Sequence, residues 1–285
     1  MNKPELDEDP ATEQDTRNAL LDKARRSAVP VRKSFVQVPP SDATDANHRA
    51  GPLADFVVGR DLRGLNAYLI ALAAISSGDG ENGWSATYPI GVWARAFGTT
   101  RYAQPSSAAT AVSKTLRRLE QRGLIERART GRARQIRIGL LREDGSGQAY
   151  TRPTGRGGDG ELFVNLDHAY WKEGWCDRLK LPGLAMLLVA LHEKPGFQLP
   201  AERVPGWYGW SADTAERGFA ELEENRLLYT VRHRRKEPLS ASGFGYVNRY
   251  YLTPPFGTTA GMKLLAAMVE GDMSFDPTLG GLIES

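Results

Sequence analysis

The 285-residue chain contains one cysteine, Cys176, and only four histidines. A single cysteine excludes an internal disulfide and any cysteine-cluster metal site. No two histidines are close enough for a His-x-His or His-Glu-x-x-His metal site. The Gly-x-Ser-x-Gly nucleophile motif and the Gly-x-x-x-x-Gly-Lys-Ser/Thr phosphate loop are both missing. The sequence therefore predicts a protein that is not an enzyme and holds neither a metal nor a cofactor.

Long apolar runs are missing as well. The longest candidate, near Leu65–Ile75, is about half of the roughly 20 residues that a membrane-spanning helix needs. The N-terminus is acidic, whereas a secretory signal has a basic start and an apolar centre. Apolar residues make up 41% and charged residues 25% of the chain, as in ordinary globular proteins. These features predict a cytoplasmic protein with no membrane partner.

Changes in composition divide the chain. The first fifty residues have sparse, unperiodic apolar positions and change from acidic to basic, which indicates a solvated tail or a segment that touches DNA or a partner. A second polar stretch is dense in glycine and reads as a linker. The predicted organisation is a flexible arm (1–52), a first domain (53–141), a linker (142–160), a second domain (161–255) and a C-terminal tail with a short helix (256–285).

The two predicted domains repeat one another. Leu62–Leu72 aligns without gaps with Leu181–Leu191 at an offset of 119 residues and with six of eleven positions identical, and further matches follow at an offset of 103. Each copy shows an apolar helix, a shorter helix, a third helix and two strands joined by a polar turn. That order is the winged helix-turn-helix layout. The predicted fold class is mostly α with small β wings (α+β): two winged helix-turn-helix domains behind a disordered N-terminal arm.

Two runs, Ser113–Arg129 and Gly209–Leu228, each combine serine, a helical pattern, a Leu-Glu pair and a pair of large aliphatic residues. They resemble the third helix and first wing strand of bacterial winged-helix DNA-binding domains. A chain with two such domains is similar in layout to plasmid replication initiators and to some actinobacterial or phage regulators. The resemblance implies DNA binding by the third helix and the wing.

The third helix of the first domain has an apolar and a polar face. At about 100° per residue, Val112, Leu116 and Leu119 lie on one side, opposite hydroxyls and cations that suit base edges or phosphates. Eight arginines and two glutamates occur between Arg117 and Arg137, which indicates a phosphate-binding wing. The DNA-binding residues predicted here are Ser107, Thr110, Ser113, Lys114, Arg117, Arg118, Arg129, Arg132 and Arg134.

The matching helix of the second domain is predicted to turn Ala215, Phe219 and Leu222 inward, and it is richer in carboxylates. Glu216, Glu221 and Glu223 add negative charge that repels phosphate, and a solvated face is expected for Glu221, Glu223 and Glu224. This domain either binds DNA mainly through its wing, with Asp213 accepting from cytosine N4, or presents its helix to a protein. The DNA-binding residues predicted here are Arg217, Arg232, Arg234, Arg235 and Lys236.

The sequence thus predicts sequence-specific binding of double-stranded DNA, with transcriptional regulation as the leading role. A plasmid or phage replication initiator that binds origin repeats is one alternative, and a winged-helix protein-assembly adaptor is another. A homodimer is predicted because two subunits double the DNA contact and read a two-fold site. Its interface would use the tail or the carboxylate-rich Ser211–Asn225 face, the latter against the Arg17–Lys33 arm of the other subunit.

Overall fold

The computed structural model describes residues 9–24, 26–45, 47–75, 83–101, 104–130 and 135–270. Of these residues, 45% are helical and 21% lie in strands, which is the balance of a mixed α/β protein. The helices are α1 (Glu13–Leu21), α2 (Lys33–Val36), α3 (Leu53–Val58), α4 (Leu62–Ala74), α5 (Ile90–Ala96), α6 (Pro105–Gln121), α7 (Ala169–Lys172), α8 (Trp175–Arg178), α9 (Leu181–His192), α10 (Val204–Tyr208), α11 (Ala212–Glu224) and α12 (Thr259–Glu270). The strands are β1 (Ala28–Arg32), β2 (Ser85–Pro89), β3 (Ile125–Thr130), β4 (Gln135–Leu140), β5 (Phe163–Asp167), β6 (Leu228–Lys236) and β7 (Phe244–Leu252).

The described strands form three small antiparallel sheets. β1 pairs with β5, β4 lies between β2 and β3, and β6 pairs with β7. The β6–β7 hairpin is the longest, with nine residues on each strand and Lys236 opposite Phe244 at its far end. β1 comes from the predicted arm and β5 follows the predicted linker, so the first sheet joins segments that are distant in the sequence.

The described part of the N-terminal segment (residues 9–24, 26–45 and 47–52) is folded, so the prediction of a disordered arm is wrong. α1 begins with a capping box, in which the Thr12 hydroxyl accepts the Asp15 N–H and the Asp15 carboxylate accepts the Thr12 N–H. The few apolar side chains of this segment are placed where they complete the core, so burial orders a stretch that periodicity could not identify. The buried ones include Leu20, Leu21, Val29, Val31, Phe35 and Val36.

The hydrophobic core crosses the predicted boundaries. One continuous cluster of buried side chains takes in the N-terminal segment and both repeated segments. α9 packs against α11 and also contacts α2 and α3, while α1 contacts α5 and α7. The predicted fold class, mostly α with two winged helix-turn-helix domains and a disordered arm, is therefore wrong. The described residues form a mixed α/β fold in which the N-terminal segment contributes a strand and helices to a shared core.

A buried arginine connects the N-terminal segment to the glycine-rich stretch that follows β4. The Arg32 side chain is fully buried and pairs with the equally buried carboxylate of Glu143. Its remaining N–H groups donate to the Thr151 hydroxyl at 3.0 Å, the Gly160 carbonyl at 3.2 Å and the Glu161 carboxylate at 3.2 Å. Because a buried guanidinium requires partners for its donors, these contacts hold the glycine-rich stretch against the core.

The C-terminal helix α12 packs on the β6–β7 hairpin. Leu265 is buried together with Val231 and Tyr251. The other apolar residues of the helix, Met262, Met268 and Val269, pack against this cluster within the same chain. The apolar face of α12 therefore has an intramolecular partner. Residues 271–285 lie outside the described part of the chain.

Candidate nucleic-acid interface

Helix α6 separates apolar from polar side chains along its 17 residues. Val112, Leu116 and Leu119 have no exposed surface, which confirms the predicted inward side. On the opposite side the predicted DNA-binding residues Ser107, Thr110, Lys114 and Arg117 are exposed, and Ser113 is half-buried. The helix therefore presents hydroxyls and cations to solvent from Ser107 to Arg117, over a length of about 15 Å.

The exposed side of α6 forms one wall of a shallow groove of about 460 Å³, and Arg63 near the start of α4 forms part of the other. Its polar lining consists of arginine, lysine, serine and threonine, without a carboxylate; these residues are Arg63, Ser106, Ser107, Thr110, Lys114, Thr115 and Arg118. Side chains that donate hydrogen bonds and carry positive charge are the ones that bind phosphate oxygens.

Arg63 was not among the residues predicted to bind DNA, because only the apolar positions of its helix form a periodic pattern. At the offset of 119 residues it aligns with Pro182 of the second copy. A comparison of the two copies at this position could have shown that the cation belongs to the first copy alone.

Four cations of this region have no partner among the described residues: Arg63, Lys114, Arg117 and Arg129 form neither an ion pair nor a side-chain hydrogen bond there. Arg129 lies on β3 opposite Ile136, on the same face of the sheet as Arg127. Arg127 in turn donates to the Ser113 carbonyl of α6 at 3.1 Å, so this face of β3 points toward the helix. We call Arg63, Ser107, Thr110, Lys114, Arg117 and Arg129 the α6 face.

Arg118 also reaches the groove, but its guanidinium is bound to a carboxylate. It contacts both oxygens of Asp61, at 2.8 and 2.9 Å, and Arg122 binds the same carboxylate at 2.8 Å. Asp61 is the N-cap of α4 and accepts the Gly64 N–H at 3.0 Å. Burial opposes its ionised form, but the hydrogen bonds from Arg118, Arg122 and Gly64 hold its pKa below the ordinary value. This cluster joins α4 to α6 and fixes the groove between them.

Ion pairs with glutamates also reduce the positive charge with which the arginines between positions 117 and 137 can bind a ligand. Arg127 binds Glu120 at 2.9 Å, and Arg137 binds Glu126 at 3.0 Å. Of the six arginines described between positions 117 and 137, two therefore stay unpaired. The turn residues Arg132 and Arg134, which were predicted to bind phosphate, lie outside the described residues.

Helix α11 has the predicted inward residues but a different outer surface. Ala215, Phe219 and Leu222 are buried, as predicted from their spacing. Arg217 is exposed, yet its guanidinium pairs with Asp213 at 2.9 Å. The remaining exposed charges on this helix are the carboxylates of Glu216, Glu223 and Glu224. This surface repels phosphate along most of its length.

The solvated role expected for Glu221 is wrong. Its carboxylate accepts the Lys180 N–H at 2.7 Å and the Gly183 N–H at 3.1 Å. These N–H groups belong to the first turn of α9, where a helix has donors without intrahelical partners. Glu221 therefore caps α9 from the neighbouring helix.

The β6–β7 hairpin carries a second group of exposed cations. Arg232 and Arg234 lie over the rings of Tyr246 and Phe244, at 4.1 and 3.6 Å from the ring centroids. Stacking of this kind orients a guanidinium against a ring and leaves its N–H edge open to a further ligand. Arg235 points to the other side of the hairpin, because side chains alternate along a strand. All four predicted residues of this hairpin, Arg232, Arg234, Arg235 and Lys236, are exposed.

Two arginines of the N-terminal segment lie inside the fold. Arg17 is buried and binds Asp177 at 2.8 Å and the Ala96 carbonyl at 3.2 Å, and Arg32 is enclosed around Glu143. The hypothesis that Arg17–Lys33 supplies a cationic face to another subunit is therefore wrong for these two arginines. Arg25 lies outside the described residues.

No protein family, curated protein or solved structure matches this chain. The resemblance to bacterial winged-helix DNA-binding proteins therefore stays a prediction, and the functional argument depends on the chemistry of the site. Within the described ranges, no helix is both long and apolar enough to cross a bilayer.

Proposed function

We propose that the protein binds double-stranded DNA through the α6 face. The observation that carries this proposal is the groove between α4 and α6, whose charged lining is entirely cationic. Lys114 and Arg117 are three residues apart on an exposed helix face, so their side chains are neighbours. The major groove of B-DNA admits an α-helix, and lysine and arginine bind guanine O6 and N7 there.

The hydroxyls and the outer cations of the same face suit the DNA backbone. Ser107 and Thr110 lie toward the start of α6, and Arg63 and Arg129 lie on the elements beside it. Contacts from such residues to phosphate oxygens position a protein on the duplex, while contacts to base edges select the sequence. In this proposal Lys114 and Arg117 read bases, and the surrounding residues bind phosphates.

The β6–β7 hairpin supplies a second, sequence-independent contact. Its four exposed cations, two of them oriented by aromatic rings, bind phosphates. α11 does not approach the backbone, because its outer face carries carboxylates and its Arg217 is engaged by Asp213. The acidic α11 surface favours a protein partner, so an assembly role is the second candidate function.

The test compares Lys114→Ala, Arg117→Ala and their combination with the unmodified chain in fluorescence-anisotropy titrations on specific and random duplexes. Each lost base contact should reduce discrimination by about 1–3 kcal/mol. Each lost phosphate contact should lower the log–log salt slope by about 0.9. Lys263→Ala is the matched control, because Lys263 is an exposed cation on α12. Unchanged affinity, discrimination and slope in the double variant would refute binding through α6.

The biological role is proposed as transcriptional regulation, with replication initiation as the alternative. Footprinting on DNA that flanks the gene separates them: protection of a promoter supports regulation, and protection of an array of direct repeats supports initiation. A homodimer is retained as part of the proposal, because it would read a two-fold site. Light scattering with and without DNA tests it, and a monomer under both conditions would exclude it.

A further inference from the structure

Helix α1 is anchored beside the segment that leads into α6. One carboxylate oxygen of Glu13, in the first turn of α1, accepts the Thr100 N–H at 2.9 Å, the Thr100 hydroxyl at 2.7 Å and the Arg101 N–H at 3.0 Å. Arg101 lies four residues before Pro105, the first residue of α6, and four residues span at most about 14 Å. The residues that precede Glu13 therefore leave the folded chain close to the beginning of the α6 face.

These preceding residues are strongly acidic. Glu5, Asp7, Glu8 and Asp9 place four carboxylates within five positions, with Lys3 as the only basic residue before them. We call residues 1–9 the acidic segment; the structure describes only its last residue, which is exposed. Its charge is opposite to that of the nearby groove.

The beginning of α6 favours carboxylates as well. Within the described part of the chain, the first turn of α6 has no acidic residue, and its N-cap, Gln104, makes no side-chain capping bond. The first N–H groups of a helix lack intrahelical partners, and the helix dipole favours negative charge at this end. Together with Arg63 and Lys114, this end presents a surface that attracts anions.

The acidic segment is long enough to cover the α6 face. Eight residues join Glu5 to Glu13 and extend to at most about 26–29 Å. The path from Arg101 to Lys114 is at most about 14 Å of chain followed by about 14 Å along the helix. Glu5 can therefore extend as far as Lys114, whereas Asp7, Glu8 and Asp9, which are closer to Glu13, are limited to the part of the groove nearer the start of α6.

We propose that the acidic segment occupies the α6 face when no nucleic acid is bound, and that it competes there with DNA phosphates. This inference rests on the proposed binding of DNA by the same face. A short tether keeps the segment at a local concentration on the order of millimolar. Each exposed ion pair is weak, so a duplex with its dense row of phosphates displaces the segment.

The first experiment neutralises the segment with Glu5→Gln, Asp7→Asn, Glu8→Gln and Asp9→Asn in the full chain. We expect duplex DNA to bind at least about threefold more tightly at about 50 mM salt, and the difference to fade at about 300 mM, where charges are more strongly screened. A control variant neutralises four exposed carboxylates elsewhere and should change affinity by less; these are Asp42, Asp45, Asp159 and Glu202. Equal affinities of the segment variant and the unmodified chain at low salt overturn the inference.

The second experiment needs no DNA. Glu5→Cys and Ser107→Cys are introduced together, and disulfide formation under mild oxidation is measured. Cys176 can stay in place, because it is buried and burial raises the pKa of its thiol to about 11. The cross-link should form readily and should decrease several-fold when Arg63→Glu and Lys114→Glu are added or when salt is raised.

The two experiments separate failure of the inference from failure of the proposed function. A cross-link that is insensitive to the charge reversal overturns the occupancy of the α6 face by the acidic segment. If neither the unmodified chain nor the neutralised variant binds duplex DNA while the cross-link stays charge-dependent, the proposed function fails and the contact within the chain stands.

Discussion

The clearest consequence of the fold is that Arg32 should be essential for stability, although it lies in a segment whose composition is that of a tail. Its side chain is fully buried, pairs with the buried Glu143 and donates to Thr151, Gly160 and Glu161. Arg32→Met leaves the Glu143 carboxylate buried without its partner. Breaking a buried ion pair in this way costs about 3–5 kcal/mol of unfolding free energy, a large part of the stability of a typical domain.

Replacing both members of the pair should cost less than replacing one. In Arg32→Met combined with Glu143→Leu, no unpaired charge is left in the core, and an apolar contact takes the place of the ion pair. Such replacements are often neutral or stabilising. We expect the double variant to recover at least about 2 kcal/mol relative to Arg32→Met, since most of the cost in the single variant is the stranded carboxylate.

The assay is urea denaturation followed by tryptophan fluorescence and circular dichroism. Arg26→Met is the matched control, because Arg26 is an exposed arginine of the same segment, and it should change the unfolding free energy by less than about 0.5 kcal/mol. If Arg32→Met is as mild as Arg26→Met, the N-terminal segment is not part of the folded core and the reasoning fails.

Three further predictions follow from the cap of α4, the buried thiol and the packing of α12. Asp61→Asn should lower the free energy of unfolding by about 1–2 kcal/mol at neutral pH. The pKa of Asp61 is lower in the folded than in the unfolded chain. The stabilisation by its carboxylate is therefore complete above the unfolded pKa of about 3.9 and is lost as the pH falls through the folded pKa. An equal difference from the unmodified chain at pH 7 and near pH 3 in urea melts would contradict this. Cys176, with a pKa of about 11, is roughly 0.1% thiolate at pH 8, so Ellman's reagent should label the native protein at least about a hundredfold more slowly than the urea-unfolded chain; similar rates would show that the thiol is accessible. Leu265→Ala should lower the free energy of unfolding by about 2–5 kcal/mol, because it weakens the packing of α12 on the hairpin. The molar mass measured by light scattering should stay constant, and a lower mass would instead place α12 at a subunit interface.

Local periodicity was sufficient to predict the main helices and the hairpin of each repeated segment, but it did not predict α3, β2, β5, α7 or α8. The spacing of Val112, Leu116 and Leu119 indicated the inward side of α6, and Ala215, Phe219 and Leu222 did the same for α11; all six are buried. An amphipathic helix must turn its apolar stripe toward the core wherever the rest of the chain lies. The exposed side, with Lys114 and Arg117, follows from the same argument.

Charge pairing could not be predicted in this way, because the partners are far apart in the sequence. Arg118 binds Asp61 across 57 residues, so its charge is not free although it lies in a run of arginines. At the offsets that relate the two copies, Lys180 takes the place of Asp61 and Glu221 takes the place of Arg118. In both copies a carboxylate caps the apolar first helix, which is α4 in the first copy and α9 in the second. The cap of α4 is its own N-terminal residue, whereas the cap of α9 is Glu221 of α11, which accepts the N–H groups of Lys180 and Gly183.

Sequence patterns also could not predict that the N-terminal segment is part of the core. Its sparse apolar residues and its arginines have the composition of a solvated tail, yet Arg17 binds Asp177 and Arg32 binds Glu143 inside the fold. Periodicity reports which side of an element is apolar, since that depends only on neighbouring residues along the chain. Whether an isolated leucine or arginine is buried depends on the surfaces and charges that distant segments bring to it, and these exist only once the chain has folded.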